Sequence, residues 1–97
     1  MEVRYLSPAS EEFLDAVRYY ESEAPGLGAE FVAALLEAEQ LTADNPRIGS
    51  LYLGGTRRVL LKRFPFNFVY LEESDAIVVV ALAHHRRRPG YWRDRLR

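Results

Sequence analysis

Ala76-Ile77-Val78-Val79-Val80-Ala81-Leu82-Ala83 is an unbroken apolar run of eight residues, and it stops abruptly at His84-His85-Arg86-Arg87-Arg88-Pro89-Gly90-Tyr91-Trp92. A half-exposed strand alternates polar and apolar residues. A continuous run of Val, Ile and Ala predicts a buried strand in the middle of a sheet. The run is far shorter than the ~20 apolar residues that cross a bilayer. Residues 84–92 place three guanidiniums, two imidazoles and two aromatic rings where the strand leaves the sheet. A sheet fixes the direction in which its strand ends present side chains, so this is a good mount for a binding surface.

On the N-terminal side of the run, Glu73-Ser74-Asp75 reads as a hairpin turn leading back to a strand over Phe66 to Leu71, with Phe66, Phe68 and Tyr70 on one face. Phe64-Pro65 marks a corner. Arg57 to Lys62 predicts a further strand, with Val59 and Leu61 on one face and Arg58, Leu60 and Lys62 on the other. Gly49 to Thr56, carrying Gly54-Gly55, reads as a loop. At the other end, Val3, Tyr5 and Leu6 predict a short strand. Ser7-Pro8 then starts a helix, with Ser7 as N-cap, Pro8 at the first helical position and Glu11 and Glu12 in the first turns. Ala9, Phe13, Ala16, Val17 and Tyr20 give this helix one apolar face. Pro25-Gly26 breaks it. A second helix runs from about Gly28 to Asp44 with Phe31, Leu35, Ala38 and Leu41 inward, and Asn45-Pro46 ends it. The order β-α-α-β-β-β predicts an α+β fold, an antiparallel sheet with a helical hairpin packed on one face, in a single domain over residues 1–97.

A chain of 97 residues, 48% of them hydrophobic, supports one small core. There is no cysteine, which excludes disulfides and thiolate metal sites and fits a reducing compartment. Met1-Glu2-Val3-Arg4 does not read as a basic region followed by an apolar one, so no leader is expected; the location expected is the cytoplasm, with no membrane partner. The net charge of −1 hides an asymmetry. Residues 1–50 carry three arginines against ten carboxylates, a net −7, and residues 51–97 carry ten basic groups against four acids, a net +6. Local potential steers association, and here its sign changes along the chain.

The candidate surface for an anionic partner therefore comprises Arg57, Arg58, Lys62 and Arg63 beside the sheet, and Arg86, Arg87 and Arg88 with Tyr91 and Trp92 at its end. Each group also has a plainer reading. Charged residues on a solvated sheet face discourage edge pairing, and Trp92 can fold back as a lid on the core. His85 can act as a general acid or base near neutral pH, or either histidine can simply bond the backbone. Adjacent histidines on a strand point to opposite faces and no third ligand is evident, so no metal site is expected and no cofactor is called for. Phe64-Pro65-Phe66 reads as structural.

Taken in order, these pieces resemble the RelE/ParE superfamily of type II toxin–antitoxin toxins, also described as plasmid stabilisation proteins. The resemblance spans nearly the whole chain. It is carried by the opening strand with Ser7-Pro8-Ala9, by Tyr19-Tyr20-Glu21, by Asn45-Pro46 and by Arg57 through Phe66. Val69-Tyr70, Ala81-Leu82-Ala83-His84 and Arg87-Arg88-Pro89-Gly90-Tyr91-Trp92-Arg93 complete it. It implies a toxin that inhibits growth, held inactive by a cognate protein antitoxin, with no sequence-specific DNA binding of its own. ParE-like members poison DNA gyrase. RelE-like members cut mRNA on the ribosome, and for that activity the resemblance would assign Arg58, Lys62, His85, Arg86 and Tyr91. The Phe64-Pro65-Phe66 corner and the ending after His84 look more like the ParE side, which leans the reading away from an enzyme. A third reading is a non-toxic binding module of the same fold.

Overall fold

The 76–83 run occupies an inner position of a five-stranded sheet, and both of its faces are covered. The structure is a computed structural model and describes residues 1–96. Strands β1 (Glu2–Tyr5), β2 (Ser50–Leu51), β3 (Arg57–Leu60), β4 (Phe66–Glu72) and β5 (Ala76–His84) lie in the order β1-β5-β4-β3-β2. Helices α1 (Ser7–Glu23) and α2 (Leu27–Asp44) pack on one face. Phe31 and Leu35 of α2 meet Phe66, Phe68, Ile77, Val79 and Leu82 there. On the opposite face Val69, Val80, Ala81 and Ala83 are covered by the chain's own C-terminal segment, led by Trp92. Two coverings explain why all residues from Ala76 to Ala83 are buried and none needs to be polar.

Three sequence-based expectations are corrected. The sheet is mixed, not antiparallel: β1 runs parallel to β5, pairing Glu2 with Ala76 through Tyr5 with Val79. Local signals give strand direction only where a tight turn joins the partners, and β1 and β5 are joined through most of the chain. The 49–56 loop contains a short strand, β2, whose Ser50 and Leu51 pair with Arg58 and Arg57. Strand β3 ends at Leu60, two residues early, because the chain turns through Arg63 at φ 70°.

Smaller differences have similarly local causes. Leu6, not Ser7, is the N-cap of α1, and Ser10 N–H donates to its carbonyl at 3.0 Å. The Leu6 N–H is meanwhile held by Val79 O, so the helix starts directly where the strand register ends. No acidic residue lies in the first turn; Glu11 and Glu12 come one turn later. In α2 the inward stripe continues from Ala38 to Thr42 rather than Leu41, as a 3.6-residue period requires, and Leu41 is exposed. Thr42 is tolerated inside because its hydroxyl donates to Ala38 O at 3.0 Å.

One buried phenol ties the loop before β2 to the sheet. Tyr70 is fully buried; its hydroxyl donates to Pro46 O at 2.7 Å and accepts from Gly49 N–H at 3.0 Å. A side chain at Gly49 would lie 2.7 Å from that hydroxyl, so the close approach requires glycine. Tyr70→Phe is expected to leave the Gly49 N–H unpaired and cost about 2 kcal/mol, read as a lower midpoint in denaturant at an unchanged slope.

Candidate functional site

The register of β4 on β5 breaks once. Val69 faces Ala81 while Tyr70 faces Val79, which leaves Val80 as an extra residue, a β-bulge. The bulge turns Val80 and Ala81 both toward the C-terminal segment. Past Val79, moreover, β5 has no β1 neighbour. The backbone groups stranded on this edge are met by one ion pair. Glu12 Oε1 accepts from Leu82 N–H at 3.1 Å, and Arg95 Nη1 donates to Val80 O at 3.0 Å. Arg95 also grips both Glu12 oxygens at 3.0 Å, and the Tyr91 hydroxyl donates to Glu12 Oε2 at 2.5 Å. Both members of the pair are more than four-fifths buried. Glu12 thus staples the C-terminal segment to α1 and β5 and seats Trp92, which is 1% exposed, over the sheet.

The stapled segment forms one wall of a cleft on the helix-free side of the sheet. Its volume is about 260 Å³, and Arg58 and Asn67 on the strands face Arg87, Arg88 and His85 on the turn. His85 N–H donates to Pro65 O at 2.8 Å and Arg87 N–H to His84 O at 2.9 Å, so the turn leaves β5 in a fixed direction. The guanidiniums lie against rings: Arg58 is 4.3 Å from the centre of Tyr52 and Arg87 is 3.8 Å from that of Tyr91. Among the described residues no Asp or Glu lines the cleft.

The sequence-predicted surface therefore separates. Arg58, Arg87, Arg88 and Tyr91 come together at the cleft. Lys62 and Arg63 do not, because the early end of β3 swings them toward α2, where Lys62 meets Glu37 at 3.3 Å and Arg63 meets Glu30 at 2.6 Å. Arg57 is engaged locally, donating to Gly49 O at 2.8 Å. Arg86 lies on the other side of the turn beside Tyr19, Tyr20 and Pro65. Trp92 is a buried lid and offers no stacking face to a partner, and Tyr91 is half-buried rather than free. His84 sits edge-on to Phe66 at 5.0 Å, and its Nδ1 accepts from Arg86 N–H at 3.0 Å. Burial, then the neighbouring Arg86 and His85, hold its pKa below the usual histidine value. Burial and the bond to Glu12 raise that of Tyr91, so its proton is firmly held.

Sequence reasoning missed Glu12, Arg95, Tyr52 and Asn67. Asn67 alone left a signal, a lone amide between Phe66 and Phe68 in a buried strand.

A helical hairpin on a mixed five-stranded sheet, with an arginine-bearing turn stapled over the end of an inner strand, defines a class of small α+β domain. Within it, the family described as the ParE toxin of type II toxin–antitoxin systems, parDE, matches residues 3–89, and the chain belongs to that family. No curated protein matches. A chain of the solved chromosomal ParDE TA system from P. aeruginosa has the same fold, with a TM-score of 0.74 at 16% identity, covering 87% of this chain and 95% of that one. Among the described residues no helix is long and apolar enough to cross a membrane.

Proposed function

We propose that this ParE-family toxin stops growth from the cytoplasm by poisoning DNA gyrase through protein contact, and that a cognate antitoxin neutralises it. Family membership supports the toxin role. One observation favours protein contact over RNA cleavage: of the five groups a RelE-like nuclease would use, Arg58 and His85 line the cleft, while the other three are turned away or occupied. Lys62 is turned onto α2, Arg86 faces away from the cleft and the Tyr91 proton is committed to Glu12. A phenol tied to a buried carboxylate is poorly placed to move a proton to or from RNA.

The test is direct. Purified toxin incubated with gyrase, ATP and relaxed plasmid is expected to block supercoiling and to accumulate cleaved DNA, with both effects reversed by the antitoxin. A gyrase left unaffected while ribosome-bound mRNA is cut overturns the proposal in favour of the nuclease. Inactivity in both assays, with harmless overexpression, leaves only the binding module.

A further inference from the structure

We propose that the cleft between β3 and the 84–92 turn is a binding site for a phosphoryl group, of the size of a single nucleotide; this goes beyond gyrase contact and does not depend on it. Among the described residues the ion pairs engage Arg4, Arg18, Arg47, Lys62, Arg63 and Arg95. Arg58, Arg87 and Arg88, the cations of the cleft, are in none of these pairs. Among the described residues no Asp or Glu lines the cavity to neutralise them.

The arrangement is built rather than diffuse. Arg58 and Arg87 lie over the Tyr52 and Tyr91 rings, contacts that restrain their rotation. Among the described residues neither takes part in an ion pair, and a guanidinium is a fork that fits two oxygens of one phosphate. Asn67 supplies a second, independent sign. It is 8% exposed, lines the same cleft, and among the described residues its Oδ1 has no hydrogen-bond partner, so this acceptor calls for a donor such as a ribose hydroxyl or a base amine beside the phosphate. A buried amide with unused capacity is costly unless something else completes it. A phosphomonoester brings both the oxyanion and, as a nucleotide, donor groups for that amide.

Charge selects phosphate over carboxylate. A single carboxylate would leave two of the three guanidiniums uncompensated, whereas a phosphate dianion satisfies two. The volume of about 260 Å³ accommodates one nucleotide rather than a duplex.

Calorimetry on the full chain at low salt, with inorganic phosphate, AMP and a glutamate-rich peptide as probes, tests this. Binding of phosphate and AMP is expected, with the peptide weaker. AMP tighter than phosphate identifies a nucleotide site, and equal affinities identify a site for the phosphoryl group alone. Arg58→Lys, which keeps the charge but loses the fork, and Arg87→Gln are each expected to weaken AMP by about tenfold. Asn67→Ala is expected to weaken it several-fold, and Arg63→Gln and Arg86→Gln to leave it unchanged. Thermal melts verify that each variant is folded. No binding of phosphate or AMP, equal binding of the peptide, or equal losses for Arg63→Gln and Arg86→Gln would overturn the proposal.

Discussion

Glu12→Ala is expected to lower the stability by about 3 kcal/mol, in the range seen when one partner of a buried ion pair is removed. The carboxylate takes four hydrogen bonds, from Leu82 N–H, from the Tyr91 hydroxyl and from both terminal nitrogens of Arg95. Its loss leaves a guanidinium only 18% exposed without its counter-charge, beside the open Leu82 N–H on β5, past the last residue paired with β1. For a domain of this size the melting temperature should fall by on the order of 15 °C. Glu12→Gln keeps an oxygen for Leu82 and should lose less than half as much. Because the staple seats Trp92, indole emission should shift to the red in Glu12→Ala below its melting temperature. A fall of less than about 3 °C with unchanged emission would show that the segment is held by its apolar contacts alone.

Trp92→Ala is the second large effect, about 4 kcal/mol. The indole is 1% exposed, packs among Val69, Val80, Ala81 and Ala83, and lies 5.9 Å from the Tyr52 ring that supports Arg58. Truncation opens a void under the C-terminal segment and withdraws the support of one cleft wall. Glu12→Ala and Trp92→Ala anchor the same segment, so the double variant should lose less than the sum of the two. Full additivity in chemical denaturation would mean that staple and lid act independently. Both single variants should abolish growth inhibition, even at temperatures where they remain folded.

The elements were legible where a residue's neighbours in sequence are also its neighbours in space. The period of Phe31, Leu35 and Ala38 and the Phe66, Phe68, Tyr70 alternation mark one face each, and all six residues are buried. The direction of β1 was hidden because its partner lies more than seventy residues away. The site was half legible for the same reason. The arginine cluster announced a basic surface, but which cations are free depends on pairings across the fold. Glu30 and Glu37 on α2 claim Arg63 and Lys62, and nothing in those acids' local sequence says so. Glu12 is one of ten carboxylates in its half of the chain, and only a bulge in β5 gives it a role. Tyr52 was read as loop, yet it is the ring that orients Arg58.

We propose that the cations of the cleft, rather than the paired ones beside α2, form the working surface of the toxin. Growth after induction without antitoxin measures this most directly, comparing the wild type with Arg58→Glu/Arg87→Glu and with Lys62→Glu/Arg63→Glu, each confirmed folded by its melting curve. The wild type and the Lys62/Arg63 variant are expected to arrest growth while cells carrying the Arg58/Arg87 variant divide normally. Arrest by the Arg58/Arg87 variant, with growth restored by the Lys62/Arg63 variant, would contradict the assignment.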